Sequence, residues 1–194
     1  MKKKILALSM IIICIGIITS STIAYFTFKG LAQNTITTGK VDVEIFEYIE
    51  EDDELISTPK GSNEIMPGMD FSKIIKVKNH DSLSYVRAKL IVVLKDSDDY
   101  VIQEENINNY FDINLDINNT DWITQEDDEW FYYNKPLDKE ELSEPLFTTI
   151  KFNGDLMNNE YKNLIMEVKV EVEGVQAANN GANVLEANGW PSEN

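Results

Sequence analysis

Apolar and polar residues alternate along most of this chain, and the alternation predicts a β protein. Val41-Asp42-Val43-Glu44-Ile45 switches between apolar and acidic side chains at every step, as in a strand with one face in the core and one in water. Residues 71–78 resume as a strand after the turn signal Pro67-Gly68. Further β-prone runs occupy residues 113–117, 130–133, 146–152 and 164–172.

Residues 85–94 form the most strongly β-prone run of the chain. One face would hold Val86, Ala88, Leu90, Val92 and Leu94. The other face would hold Tyr85, Arg87, Lys89, Ile91 and Val93. Because both faces are apolar beyond Leu90, we expect this strand to lie inside its sheet rather than at an edge.

Three segments lack clear alternation. Residues 101–111 place their apolar side chains at mixed spacing, which predicts a short helix or an ordered loop. The acidic run 50–54 predicts a solvated loop, and the tail 177–194 predicts at most one or two helical turns. About seven or eight short strands with little helix predict an all-β fold, an antiparallel β-sandwich such as a jelly roll, with its body at 36–176.

The N-terminus has the order of a secretory signal. Lysines at positions 2–4 precede 14 mostly apolar residues at 5–18, and the chain then turns polar. A helix of that length is about 21 Å long, against about 30 Å for the hydrocarbon core of a membrane. Thr22 and Ala24 are the small residues before the predicted cut, which would make Tyr25 the new N-terminus. The predicted signal helix is therefore 1–24, and the alternative is an uncleaved membrane anchor.

The charge and the cysteine content limit which partners and which chemistry the predicted mature chain can have. Loss of residues 1–24 leaves 14 basic and 34 acidic residues, a net charge of −20, which disfavours binding to nucleic acid or anionic lipid. Cys14 is the only cysteine and lies inside the apolar run, so the mature chain would have no disulfide and no cysteine chemistry.

The residue types give no support to common catalytic sites. A zinc site built on histidines one helical turn apart is excluded, because His80 is the only histidine and lies in a predicted turn. The sequence has no Gly-x-Ser-x-Gly elbow and no glycine-rich phosphate loop. We therefore predict a protein that is not an enzyme, with no catalytic residue and no cofactor.

Acidic loops leave one weak metal hypothesis open. Residues 96–99 begin like a calcium loop, but Val101 and Ile107 stand where an EF-hand needs glycine and glutamate. The runs 50–54 and 126–129 could still bind calcium loosely, although such runs are usually only solvated. The aromatic residues Trp122 and 130–133 are interpreted as core packing rather than as a sugar-binding surface.

Several segments, in order along the chain, resemble the TasA/camelysin (CalY) family and most closely its BsaA-type biofilm matrix proteins. The resemblance is carried by "AYFTFKGLAQNTITTGKVDVEIFE" (24–47), "IMPGMDFSKIIKVKN" (65–79), "SLSYVRAKLIVVL" (82–94), "WFYYNKPLDKEELSEPLFTTIKF" (130–152) and "VEGVQAANNGANVLEANGW" (172–190). It implies a secreted jelly-roll subunit of extracellular matrix fibres, cut by a signal peptidase of the SipW type and in the membrane only before the cut. Camelysin-like relatives described as cell-surface metalloproteases are the enzyme alternative, and a membrane-anchored adhesin is the other.

The resemblance also implies a mechanism of polymerisation. In TasA-like fibres the N-terminal segment leaves its own subunit and adds as a strand to the next, which here gives an arm at 25–35. Its predicted contact residues are Tyr25, Phe26, Phe28 and Leu31. The partner would be a further copy of the same chain in a head-to-tail polymer, with the need for an accessory subunit left open. The alternative is an arm that pairs with its own sheet or frays.

Overall fold

The computed structural model describes residues 26–29, 41–51, 54–57, 62–65, 68–110, 113–156 and 164–191, with backbone alone for 26–29, 50–51, 54–57 and 62–65. The predicted signal peptide, including Thr22 and Ala24, and the arm residues Tyr25 and Leu31 lie outside the described residues. Within that part of the chain, no helix is long and apolar enough to cross a membrane.

The described chain is mostly β, as predicted. Its strands are β1 Phe26–Lys29, β2 Val43–Glu51, β3 Glu54–Ser57, β4 Ser62–Ile65, β5 Asp70–Asn79, β6 Ser84–Lys95, β7 Val101–Asn106, β8 Ile113–Leu115, β9 Trp122–Ile123, β10 Trp130–Tyr133, β11 Phe147–Phe152 and β12 Ile165–Gln176. Two 3-10 helices, Ile107–Asn109 and Val184–Glu186, complete the regular structure of the described residues.

The strands form two sheets. The larger sheet has the order β4-β1-β12-β6-β10-β9, with β7 also paired to β6, and the smaller has the order β3-β2-β5-β11-β8. Pairing is antiparallel except between β1 and β12, which run parallel. One hydrophobic core contains residues of both sheets, so the two sheets pack as a sandwich.

The alternation in β6 and β12 places the core as the sequence predicted. Val86, Ala88, Leu90, Val92 and Leu94 of β6 are all buried in the shared core. Met166, Val168, Val170 and Val172 of β12 meet them there. Because β6 pairs with β12 on one side and with β10 and β7 on the other, its predicted place inside the sheet is confirmed.

Gly174 marks a close approach between the two sheets. It lies in β12, and a Cβ added to it would be 2.8 Å from Cγ1 of Val41 and 3.0 Å from Cγ1 of Val43, at the start of the smaller sheet. Atoms this close must shift, so a side chain at this position would push the sheets apart. The missing side chain thus lets β12 pack directly against the N-terminal end of β2.

Two predictions about irregular segments were wrong. Residues 101–106 form strand β7 rather than helix or loop, and only 107–109 form a helical turn, with the Asn106 side chain accepting from the N–H of Asn108. β7 is held by backbone pairing to β6, and its first five residues are exposed, so no apolar pattern marks it. The acidic run 50–54 was expected as a loop, but residues 50, 51 and 54 belong to the β2–β3 hairpin.

The C-terminal tail packs on the outer face of the larger sheet. Val184, Ala187 and Trp190 are buried in a second cluster with Tyr85, Tyr132 and Val175. The single helical turn at 184–186 agrees with the prediction of at most one or two turns. Since the tail covers one end of the sheet, it is part of the folded body rather than an appendage.

Candidate functional site

The predicted arm occupies a slot in the larger sheet. Residues 26–29 form β1, which lies between β12 on one side and β4 on the other. Phe28 is paired with Met166 of β12 and with Asn63 of β4, and Phe26 is paired with Ile65. In a single chain, therefore, this part of the arm completes its own sheet. This is the arrangement named above as the alternative to donation, an arm that pairs with its own sheet.

One wall of the slot, β12, belongs to the most extensively paired part of the sheet. β12 pairs with β6 along its whole length, from Ile165 opposite Lys95 to Gln176 opposite Ser84. The register between β1 and β12 assigns the faces of the arm. Met166 is a core residue, so position 28 lies on the core face, and position 29 lies with Glu167 on the outer face.

The outer face of β12 carries a buried charge beside the slot. Glu167 is 1% exposed. Nζ of Lys95 donates to its Oε1 over 3.1 Å and lies 3.0 Å from Oε2. Oε2 accepts no hydrogen bond among the described residues. Lys95 also lies 3.3 Å from Asp99. The hydrogen bond to Glu167 is the largest cause that raises the pKa of Lys95, so this ammonium stays charged.

A second buried ion pair joins β6 to β12, and its guanidinium also contacts the tail. The Nε and Nη2 groups of Arg87 donate to Oε2 of Glu173 over 3.0 and 2.8 Å, and Nη1 donates to the Tyr132 hydroxyl over 3.2 Å. The guanidinium lies 4.3 Å from the ring centre of Trp130 and 4.4 Å from that of Trp190. Sequence reasoning missed this cluster, although a charged residue inside a run of apolar ones was the signal for it.

Tyr132 links this cluster to an acidic loop. Its hydroxyl donates to Oδ2 of Asp128 over 2.6 Å, and Oδ1 of Asp128 accepts from the N–H of Trp130 over 3.1 Å. Burial, followed by the bond to Asp128, raises the pKa of Tyr132 to about 12. Asp128 therefore holds the loop to β10 rather than pointing freely into solvent.

Other acidic side chains are likewise held by hydrogen bonds or ion pairs. Oδ1 of Asp96 accepts from the N–H groups of Asp98 and Tyr100, each over 2.9 Å. Glu129 is paired with Lys89 of β6. In the part of the chain that the structure describes, no three histidine, cysteine, aspartate or glutamate side chains are grouped so that they could hold a metal ion.

The aromatic residues pack as predicted. Trp122 and Tyr133 are buried in the shared core with ring centres 5.1 Å apart, so neither presents a face to a sugar. A groove of about 550 Å³ does open nearby, between the helical turn at 107–109 and β8. Asn108, Asn114, Asp116 and Thr124 are among its polar lining residues.

His80 joins two elements of the fold. Its Nε2 lies 2.9 Å from Oε2 of Glu44 in β2, and its Nδ1 lies 3.4 Å from Oε1 of Glu140, which also pairs with Lys78 over 2.9 Å. The side chain is 26% exposed. Its hydrogen bond to Glu44 is the largest cause that raises its pKa.

We expect His80→Gln to remove a pH-dependent part of the stability. Because the pKa of His80 is higher in the folded chain, its contribution is fully present below about pH 6.5 and is lost as the pH rises through the folded pKa. Urea unfolding at about pH 5.5 and about pH 9 should therefore show the variant less stable at the lower pH and close to the parent at the higher. An equal loss at both values would contradict this role. His80 is the chain's only histidine, so no other imidazole contributes.

No family model, curated protein or solved structure matches this chain.

Proposed function

We propose that this chain is a secreted structural subunit of extracellular biofilm matrix fibres, and that its arm exchanges between subunits. The observation that carries the proposal is the position of β1, which has a paired strand on each side. A slot of this kind accepts a short strand by backbone pairing. The same pairing forms whether the strand comes from its own chain or from the next one, which is the condition for a strand swap.

The length of the connection allows the exchange. Residues 30–42 separate β1 from β2, and 13 residues of extended chain span up to about 45 Å. That distance exceeds the width of a domain of this size, so an arm can reach the slot of a neighbour. Each exchange is head-to-tail, and a head-to-tail contact grows into a filament unless it closes into a ring.

The sandwich fits the jelly-roll type that the resemblance implies. The chain moves between the two sheets at most of its connections, as from β4 to β5, β5 to β6, β7 to β8, β10 to β11 and β11 to β12. Such crossings are characteristic of Greek-key and jelly-roll sandwiches. We propose the jelly-roll type for the body of the protein, and this topology supports it.

Cleavage after Ala24 would control assembly. While residues 1–24 stay attached, the arm is tied to the membrane, and a signal peptidase of the SipW type would release it. The mature net charge of −20 keeps free subunits apart in solution until the arm of one reaches the slot of another.

A membrane-anchored binding module is the second candidate, and the polar groove beside β8 is the observation that favours it.

A disulfide exchange experiment tests the proposal. Thr27 of β1 lies directly opposite Glu64 of β4, and antiparallel partners are about 4.5–5.5 Å apart, within the range that a disulfide bridges. The chain from Tyr25 onwards has no cysteine, so Thr27→Cys and Glu64→Cys can be made in separate chains, one carrying a size tag. When equal amounts are mixed and oxidised, we expect dimers that contain one chain of each kind, and filaments by electron microscopy.

Two controls make the result specific. Thr27→Cys mixed with Lys151→Cys, which lies in β11 of the smaller sheet, should give no mixed dimer. A single chain carrying both Thr27→Cys and Glu64→Cys should close within itself and stay monomeric when oxidised before assembly. If only this double variant forms the bond and the two single variants never do, the arm stays in its own subunit and the proposed exchange is wrong.

A further inference from the structure

The arm carries one charge, and the register places it at one particular residue of the slot. Lys29 is the only charged residue among residues 25–35. In the pairing of β1 with β12, Lys29 stands opposite Glu167. Register partners in neighbouring strands lie on the same face of a sheet, so both positions belong to the outer face. The single charged residue of the arm therefore has an acidic residue as its register partner.

Glu167 differs from the other carboxylates on this face. It is 1% exposed, whereas Glu104 and Asp99 near it are about half exposed or more. Its Oε2 has no hydrogen bond among the described residues, although Lys95 lies 3.0 Å away. A buried carboxylate is costly even with one ammonium beside it, and a further positive charge nearby would reduce that cost.

The charges around this position are unbalanced. Three carboxylates, Glu167, Asp99 and Glu104, share two lysines: Lys95 pairs with the first two, and Lys169 lies 3.7 Å from Glu104. Glu64 of β4, opposite Thr27, belongs to the same face, so one more cation at the register position of residue 29 reduces the excess of negative charge. Charge balance matters here because a buried ion pair is screened by salt far less than an exposed one.

We propose that the charge of Lys29, opposite the buried carboxylate of Glu167, fixes the register of the arm in its slot and selects the arm of another copy of this chain as the occupant. A slip of one residue would move Lys29 to the core face and bring Phe28 or Gly30 opposite Glu167. The apolar pattern alone does not exclude a shift of two residues, since that shift returns both phenylalanine positions to the same face. The same shift would place Lys29 opposite Ile165 or Lys169 instead of Glu167. This inference rests on the proposed arm exchange and states which residues make the exchange specific.

A double-mutant cycle tests the pair in the mature chain starting at Tyr25. The measured quantity is the concentration of free subunits that remain in equilibrium with filaments. We expect Lys29→Gln to raise it about tenfold and Lys29→Arg to change it less than about twofold. Glu167→Gln keeps the size of the side chain, and the double variant should lose no more than either single variant. Independent, additive losses would overturn the inference.

Gln33→Glu is the matched control. It changes the net charge of the arm by the same amount as Lys29→Gln, but outside the paired residues 26–29. An equal loss from Gln33→Glu would mean that only overall charge matters, and the register role would be rejected. This comparison uses arm variants alone, so it stands even if Glu167→Gln fails to fold.

The same cycle separates this inference from the proposed function. If the parent chain forms no filaments, the coupling is read instead from urea unfolding of the monomer, in which the arm fills its own slot. Coupling between positions 29 and 167 without filaments would keep the inference and reject the polymer. Filaments whose free-subunit concentration does not change in Lys29→Gln would support the proposed polymer and reject the inference.

Discussion

Arg87→Met is expected to lower the free energy of unfolding by about 3–5 kcal/mol, because it removes the guanidinium that is paired with the buried carboxylate of Glu173. The guanidinium also lies between the rings of Trp130 and Trp190, and methionine keeps part of that apolar contact while removing the charge. Urea unfolding followed by tryptophan fluorescence measures the loss, since two of the chain's three tryptophans flank the changed residue.

A double substitution distinguishes the loss of the ion pair from the cost of keeping the buried Glu173 charge without the guanidinium. Arg87→Met combined with Glu173→Leu removes both charges, and we expect it to recover much of the stability that the single variant loses. Lys151→Met is the control, because its 3.6 Å pair with Asp70 is exposed on both sides and its loss should cost at most about 1 kcal/mol. A double variant as unstable as Arg87→Met would mean that packing around the guanidinium, rather than the carboxylate, sets the effect.

This cluster also shows where sequence reasoning ends. The alternation in β6 and β12 was enough to assign their core faces, because a period of two fixes which residues share a face. It did not show that Arg87 stands directly opposite Glu173, because these residues are 86 positions apart and their pairing depends on the register between two strands. Local pattern determines faces, whereas partners come from the folded topology.

The short strands were missed for a related reason. β3 and β4 have four residues each, and β9 has two, so none is long enough for alternation to be recognised. β4 matters most for the candidate site, because it forms one wall of the arm slot. The arm itself was found through the sequence resemblance, and its parallel partner β12 lies about 140 residues further along the chain.

Phe26→Asp combined with Phe28→Asp is expected to abolish filaments of the mature chain. Position 28 lies on the core face of the larger sheet opposite Met166, and position 26 shares that face because side chains repeat every two residues along a strand. Each phenylalanine that is not buried forfeits about 1.5–3 kcal/mol, and two aspartates would add the cost of desolvating charge. The free-subunit concentration should therefore rise by more than about a hundredfold, as judged by sedimentation and negative-stain microscopy.

The body of the protein should survive this change, because β12 remains paired with β6 along its full length. Circular dichroism should show a folded β protein that unfolds cooperatively, with lower stability since the arm no longer fills its own slot. Gln33→Asp with Asn34→Asp adds the same charge outside the paired residues and should still form filaments. Filaments of unchanged length and yield from the phenylalanine variant would reject the arm as the donor strand.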